Sequence, residues 1–210
     1  MTAVPALEVH GLGIATRRRQ IGPFDLTVAP GEAVGLVGPN GSGKTSCLRL
    51  ALGLERADLG SSRIHGRSVS PWRPPTGVGV VLEADGCYPW LSGRENLHLF
   101  AVASGVAGPD IVDDALASVG LAPASDRPVR HYSRGMRQRL AFARAALGDP
   151  SLFVLDEPTV ALDDDAAGWL VDLLVAHHRE GGAVVVASHD HRFLEALDAR
   201  QVTIDQGRSR

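Results

Sequence analysis

Short apolar runs that alternate with amphipathic stretches make up the hydrophobic pattern of this chain. Continuous apolar runs at 78–82, 152–155 and 183–187 predict strands buried on both faces. Strands that alternate with helices predict an α/β fold with a mixed or parallel sheet. Apolar positions at helical spacing predict helices at 44–54, 95–104, 111–119, 135–147 and 163–178. In the last helix, the positions predicted to face inward are Leu170, Leu173, Leu174 and Ala176.

The N-terminal part of the chain has a strand pattern. Loose alternation over 7–27 predicts strands. The run 33–37 predicts a short strand that ends in glycine and leads into the first helix, and 60–69 predicts a hairpin or a loop. Turns in the first segment are predicted at Gly11, Gly13 and Gly22-Pro23.

Two later segments also differ from the alternating pattern. The predicted elements between 84 and 147 are all helical, so this block is a candidate inserted subdomain. Residues 206–210 are predicted to fray.

Composition narrows the class of protein. The chain has 210 residues and 44% hydrophobic residues, which suits one globular domain with room for a subdomain. Its net charge of −3 indicates no overall attraction to nucleic acid or anionic lipid, so no nucleic-acid partner is expected. Cys47 and Cys87 are too few for a disulfide scaffold. No apolar run approaches the ~20 residues of a membrane span, and the start lacks a signal-peptide pattern, so a cytoplasmic location is expected.

A phosphate-binding loop is the first chemical motif. Residues 38–45, Gly-Pro-Asn-Gly-Ser-Gly-Lys-Thr, match G-x-x-x-x-G-K-[ST] between an apolar strand and a helix. Glycines allow backbone N–H groups to wrap a polyphosphate, and the helix N-terminus favours the same anion. Lys44 is expected to reach the β- and γ-phosphates and the Thr45 hydroxyl to bind Mg²⁺. The alternative is a chance glycine-rich turn, which this placement disfavours.

A second strand ends in two carboxylates. The apolar run 152–155 is followed by Asp156 and Glu157, which has the form of a Walker B motif. Asp156 is expected to hold Mg²⁺ directly or through water, and Glu157 to take a proton from an attacking water. A solvated strand end is the alternative. A phosphate loop needs an acid on its metal side, so the functional interpretation is favoured.

Three further motifs indicate a family. Tyr-Ser-Arg-Gly-Met at 132–136 opens a helix just before the Walker B strand and resembles the ABC signature. Ala-Leu-Asp at 161–163 resembles the D-loop of that family, and Ser-His-Asp at 188–190 follows the last buried strand as the switch histidine does. The chain is therefore similar to ATP-binding cassette ATPase subunits over nearly its whole length. Within that family it resembles drug, antibiotic and polysaccharide exporter ATPases, with the haem-exporter ATPase as the runner-up.

The resemblance implies an architecture: a P-loop NTPase core with a mixed or parallel sheet, an N-terminal antiparallel β subdomain and an inserted helical subdomain. Residues 1–210 form one ABC ATPase domain. Within it, 1–83 and 148–210 form the RecA-like core with its β subdomain, and 84–147 form the helical subdomain that carries the signature.

The resemblance also implies a site and its partners. Two cassettes, expected as a homodimer, pack head to tail with ATP between one phosphate loop and the other subunit's signature. A separate transmembrane permease subunit completes the transporter, which places the chain at the inner face of the cell membrane. The implied residues are Asn40, Gly41, Ser42, Gly43, Lys44, Thr45 and Ser46 for nucleotide, Ser133 and Gly135 for the partner's ATP, Thr45, Glu83 and Asp156 for Mg²⁺, and Glu157 and His189 for catalysis.

Three positions depart from the family pattern. Glu83 stands where a glutamine usually reaches Mg²⁺ and water, so it is expected either to keep that role with altered metal affinity or to be an exposed loop acid. No aromatic ring precedes the phosphate loop to stack on adenine; Arg17 could stack instead, or the segment is a solvated basic hairpin. Arg134 and Met136 replace the usual signature residues, which related exporters tolerate.

An aromatic cluster at 88–91 stands out because aromatic residues make up only 5% of the chain. Its Tyr88 and Trp90 suit docking of a membrane partner. The alternative is that Trp90 caps the core of the helical subdomain.

Other functions stay open from sequence alone. One is a nucleotide-gated subunit that does not hydrolyse ATP, and another is a P-loop nucleoside kinase, against which the signature and His189 argue. A third is a soluble cassette that acts on DNA or ribosomes. Such proteins usually carry a long coiled-coil insert or a second cassette, for which 210 residues leave no room.

Overall fold

The structure is a computed structural model that describes residues 3–17, 19–72, 75–82, 86–106, 108–160 and 162–209. Strands and α-helices alternate along most of these residues, as the hydrophobic pattern predicts. The elements are β1 Leu7–Ala15, β2 Gln20–Val28, β3 Ala33–Val37, α1 Lys44–Ala51, β4 Leu59–Ile64, β5 Arg67–Ser68, β6 Val78–Val81, α2 Gly93–Ala103, α3 Ile111–Ser118, α4 Arg134–Ala146, β7 Leu152–Asp156, α5 Asp164–Arg179, β8 Ala183–Ala187, α6 His191–Ala196, β9 Arg200–Asp205 and β10 Arg208–Ser209.

A six-stranded sheet forms the centre of the fold. Its strand order is β10-β9-β3-β8-β7-β6, with parallel pairing from β9 through β6 and an antiparallel β10 at the edge. Strands β3, β7 and β8 are almost entirely buried, which explains their uninterrupted apolar runs. Because these three strands are parallel neighbours, the residues that follow each of them meet at one edge of the sheet.

A separate antiparallel sheet covers one side of the phosphate-loop helix. Its order is β2-β1-β4-β5. Apolar side chains from this sheet, from α1 and from the central sheet share one buried cluster that includes Phe24, Leu48 and Val185. The expected α/β fold with an antiparallel β part is therefore confirmed.

Helices α2, α3 and α4 bury a cluster of their own. Leu97, Leu116 and Leu140 are fully buried there. Trp169 of α5 packs against this cluster and against a third cluster, which α4 and α5 form with strands β7 and β8; its ring lies 6.1 Å from that of Phe142. The helices α2, α3 and α4 are thus connected to the sheet through α4, which also contributes side chains to the third cluster. Among the described residues, no helix is long and apolar enough to span a membrane.

Three predictions about local structure were wrong. Gly11 and Gly13 are not turns; they lie within β1 next to shifts in the pairing register with its neighbours. Gly22 and Pro23 likewise lie inside β2. Ala176 is exposed, because α5 buries a narrower stripe centred on Leu170 and Leu174.

The predicted fraying of the last residues was also wrong for 206–209. Residues 208–209 form β10 and pair with β9. The Ser209 hydroxyl accepts a hydrogen bond from the backbone N–H of Asp25 at 3.0 Å. The prediction rested on the usual disorder of terminal residues, and here pairing with β9 holds them in place.

Candidate active site

The phosphate loop connects β3 to α1 along a path that needs glycine. Gly41 and Gly43 have φ values of 79° and 100°. A Cβ atom on Gly38 would lie 2.3 Å from the carbonyl oxygen of Ile204, so only glycine fits there. The loop therefore packs its backbone closely against β9 and leads directly into α1.

The N-terminus of α1 is suited to an anion. Gly43 is its N-cap, so no side chain caps the helix, and the first turn contains no acidic residue. The first N–H groups of an α-helix have no acceptor within the helix, and the helix dipole adds partial positive charge there. The chain's only lysine, Lys44, stands at the first helical position. Its ammonium donates to the Gly38 and Pro39 carbonyls at 2.8 and 3.3 Å, and the residue is 6% exposed.

The remaining loop residues are placed around this N-terminus. Asn40 and Gly41 are exposed at the tip of the loop. Ser42 is buried, and its Oγ has no hydrogen-bond partner among the described residues. A buried hydroxyl without a partner is costly, so its position favours a ligand oxygen. The Ser46 hydroxyl accepts a hydrogen bond from Arg19 at 2.8 Å.

The two Walker motifs meet although they are far apart in sequence. Thr45 Oγ1 donates a hydrogen bond of 2.6 Å to Asp156 Oδ2, at the end of β7. Burial raises the pKa of Asp156. The hydrogen bond from Thr45 lowers it, and the neighbouring charge of Glu157 raises it further. A partly buried carboxylate beside a hydroxyl is a set of hard oxygen donors. These two residues therefore fit Mg²⁺.

Glu157, directly after Asp156, has its backbone in the left-handed region, at φ 44°. Its N–H donates to the Ala187 carbonyl at 2.8 Å, which holds it beside the end of β8. Its Oε2 lies 2.8 Å from His189 Nδ1 and accepts a weaker hydrogen bond from Ser188 at 3.4 Å. The carboxylate and imidazole expected to act together are thus in direct contact.

The signature residues lie at a different helix N-terminus. Ser133 is the N-cap of α4, and its Oγ accepts the Met136 N–H at 3.1 Å. Ser133 is exposed and Gly135 is partly exposed in the first turn. Gln138, one turn further on, donates to the Pro158 carbonyl at 3.2 Å. This bond links the signature helix to the segment that follows the Walker B acids.

The structure does not place two of the predicted residues, Glu83 and Arg17, in the site. Glu83 lies outside the described residues. Arg17 is exposed, whereas Arg19, two residues later, pairs with Glu55 and hydrogen-bonds to Ser46. The sequence does not distinguish Arg19 from the two arginines before it. The turn closed by hydrogen bonds between Thr16 and Arg19 brings Arg19 to α1.

The aromatic cluster is at the surface. Trp90 is 65% exposed and Tyr88 44%, with their ring centroids 5.9 Å apart. The alternative in which Trp90 caps the helical core was therefore wrong. Asn96 anchors the segment, because its side chain accepts the Tyr88 N–H at 2.7 Å and donates to the Tyr88 carbonyl at 3.0 Å.

Comparison with known proteins agrees with this geometry. The ABC transporter family model matches residues 21–160. The cytochrome c biogenesis ATP-binding export protein CcmA of Cupriavidus necator is 41% identical over 190 residues, covering 89% of this chain and 84% of that protein. A fluoroquinolones export ATP-binding protein of Mycobacterium tuberculosis is 36% identical over 187 residues, covering 88% of this chain and 62% of that protein.

Larger proteins and solved structures match as well. The human phospholipid-transporting ATPase ABCA7 is 38% identical over 190 residues, or 88% of this chain, and the chain spans 9% of its length. The solved structure of an ATP binding subunit of an ABC transporter superimposes with a TM-score of 0.88 at 25% identity. That match covers 97% of this chain and 88% of the other.

Proposed function

This chain belongs to the ABC transporter family as one of its ATPases, and from that premise we propose that it is the motor subunit of an exporter. In this proposal, ATP binding closes a head-to-tail dimer, hydrolysis reopens it, and a separate membrane subunit moves the substrate. The observation that carries the proposal is that β3, β8 and β7, adjacent and parallel, all end in residues that phosphate chemistry needs. These residues are the loop at 38–45, His189 and the pair Asp156 and Glu157.

The phosphate loop holds the nucleotide. Its N–H groups and the α1 dipole attract the β- and γ-phosphates. Lys44 can exchange its two carbonyl acceptors for phosphate oxygens without leaving its place. Asn40 to Ser46 supply the rest of the cradle.

Thr45 and Asp156 would hold Mg²⁺ with the nucleotide, and Glu83, in place of the family's usual glutamine, would add a further oxygen ligand. When bound, Mg²⁺ neutralises charge that develops on the transferred phosphoryl group. The raised pKa of Asp156 reflects its burial, which disfavours the charged carboxylate, and a bound cation would offset that cost.

Glu157 acts as general base for the attacking water. An ionised Glu157 accepts a hydrogen bond from the Nδ1–H of His189, which leaves the other carboxylate oxygen to take the proton of the water. His189 positions the carboxylate and contacts the γ-phosphate. Its side chain is 63% exposed, which gives an incoming phosphate access to it.

The second half of each site comes from a partner chain. Ser133 and the Gly135 N–H lie at the exposed start of α4, so a γ-phosphate presented by another subunit can reach them. A homodimer of this chain supplies two such sites. Residues 84–147, as the helical subdomain, then carry the signature toward or away from the partner's loop.

The membrane subunit docks at the exposed pair Tyr88 and Trp90, which holds the chain at the inner face of the membrane. In a co-expressed complex, Trp90→Ala is expected to reduce recovery of the membrane subunit. Trp72→Ala is the matched control, because Trp72 is 91% exposed in another loop. Equal recovery with both variants argues against docking at this pair.

Single-turnover hydrolysis of purified protein tests the motor assignment. Wild type is expected to convert bound ATP to ADP, and Glu157→Gln to bind ATP with at least roughly 100-fold slower turnover, as loss of a general base implies. Glu180→Gln, a change to a surface acid at the end of α5, is the control. A wild type that binds ATP without hydrolysing it supports the nucleotide-gated alternative. Transfer of phosphate to a nucleoside instead of water supports the kinase.

A further inference from the structure

The tight turn between β9 and β10 contacts the phosphate loop directly. The backbone N–H of Gly207 donates to the carbonyl oxygen of Ser42 at 2.6 Å, across 165 residues of chain. The Gly207 carbonyl in turn accepts a hydrogen bond from the Cys47 thiol at 3.6 Å. One residue thus bonds to the loop on one side and to α1 on the other.

Steric contacts show how closely this turn fits. A Cβ atom on Gly43 would lie 3.1 Å from the Gly207 backbone, and one on Gly207 would lie 2.5 Å from Ile21 Cγ2. The contact between Gly38 and Ile204 described above is part of the same fit. The backbone of Gly207 is therefore enclosed between the phosphate loop and β2.

The turn is itself held in place by β2. Gly22 N–H donates to the Gln206 carbonyl at 3.4 Å, and Arg208 Nε donates to the Gly22 carbonyl at 3.2 Å. Both Gln206 and Gly207 have positive φ, at 51° and 74°. Positive φ at both central residues is typical of a type I′ turn, which the pairing of β9 with β10 favours, and the bonds to β2 add to its support.

We propose that Gly207 is a positioning residue that keeps the phosphate loop in its anion-binding shape. The loop's own carbonyl at Ser42 needs a donor, and Gly207 supplies it from outside the loop. A loop ordered in advance binds tightly because less conformational entropy is lost on binding. Nucleotide affinity therefore depends on a turn that contains none of the nucleotide-binding residues. The inference rests on the proposed binding of ATP by this loop.

Two substitutions at 207 test the proposal through the ATP dissociation constant and steady-state kinetics. An amide-to-ester change, with glycolic acid replacing Gly207, removes the N–H and adds no atom near Ile21. It is expected to weaken ATP binding by about three- to tenfold, the usual effect of one hydrogen bond. Gly207→Ala adds backbone strain and a clash and is expected to weaken binding by at least about tenfold. KM for ATP should rise in both, with kcat nearly unchanged.

Gly105→Ala is the matched control. Gly105 has φ 68° with no atom within 4 Å of an added Cβ, so it has the same backbone strain far from the loop. Its melting temperature should fall while its affinity for ATP stays at the wild-type value. If wild type binds ATP and the ester variant binds it equally well, the inference about Gly207 is wrong and the proposed function is unaffected. Wild type that binds no ATP overturns the proposed function, and the inference with it.

Discussion

The chain has two helix N-termini that are proposed to meet phosphate, and they are built differently. At α1 the N-cap is Gly43, without a side-chain cap, and Lys44 is buried beside it. At α4 the N-cap is Ser133, whose hydroxyl already accepts the Met136 N–H, and the residue is exposed. The N-terminus of α1 is thus partly enclosed by the phosphate loop, and no side chain caps it; this site is called the α1 cradle. The second is capped by its own side chain and faces outward.

This difference explains how one chain can need a second copy. At the α1 N-terminus, the lysine, the loop N–H groups and the Walker B acid lie close together. In the proposed function, this site therefore binds a nucleotide without residues from a second subunit. The α4 N-terminus presents the hydroxyl of Ser133, backbone N–H groups and the exposed Arg134, and its capping bond makes it stable without ligand. In the proposed dimer it contributes when another subunit presents a phosphate. The two halves should therefore respond differently to substitution.

Lys44→Ala is expected to have the largest effect. Removing an ammonium that bonds to phosphate should weaken ATP binding by on the order of 100-fold, since hydrogen bonds to charged groups are the strong ones. Isothermal titration of ATP into the purified variant measures this loss. Arg49→Ala, later in the same helix, is the control. Near-normal affinity of Lys44→Ala would remove the distinction between the two N-termini.

Ser133→Ala should separate binding from turnover. Its ATP affinity in dilute protein is expected to stay within about twofold of wild type, while turnover falls at least roughly tenfold because a group that acts in the transition state is lost. Ser92→Ala is the matched control: Ser92 caps α2 in the same way, accepting the Glu95 N–H at 3.1 Å. Both variants should lose about 1 kcal/mol of stability as N-cap substitutions. Equal turnover in the two variants would assign Ser133 a capping role alone.

Asp156→Asn tests whether the enclosed cradle reduces the stability of the free protein. Burial disfavours the carboxylate, so the variant should melt about 2 °C higher than wild type at pH 7 without nucleotide. Because the folded-state pKa of Asp156 is raised above 3.8, the wild-type penalty should shrink as the pH falls through that raised pKa, and it should vanish below 3.8, where the side chain is neutral in both states. Thermal melts between pH 4 and 8 measure this convergence. Asp163→Asn, at the exposed N-cap of α5, should show no comparable gain.

Sequence alone predicted the cradle because its signals are local. A strand buried on both faces leaves a continuous apolar run, as at 183–187, and the glycines and lysine of the loop follow in fixed order. The support from Gly207 was missed since its bond to Ser42 joins distant segments. Its only local trace is a Gln-Gly pair among the terminal residues that were predicted to fray.

Side-chain direction was harder to predict than the elements themselves. The choice between Arg17 and Arg19 depends on a hairpin turn, and the exposure of Ala176 depends on how wide a stripe α5 buries. Both are set by tertiary packing, which overrides periodicity.

Disulfide crosslinking between two single-cysteine variants tests most directly whether the two N-termini meet across chains. In a background with Cys47→Ser, Cys87→Ser and Glu157→Gln, one variant carries Asn40→Cys at the tip of the loop and the other carries Ser133→Cys. A head-to-tail dimer closed by ATP should give a crosslinked product only when the two variants are mixed, and only with ATP present. No crosslink on mixing, or an equal crosslink without ATP, would contradict it.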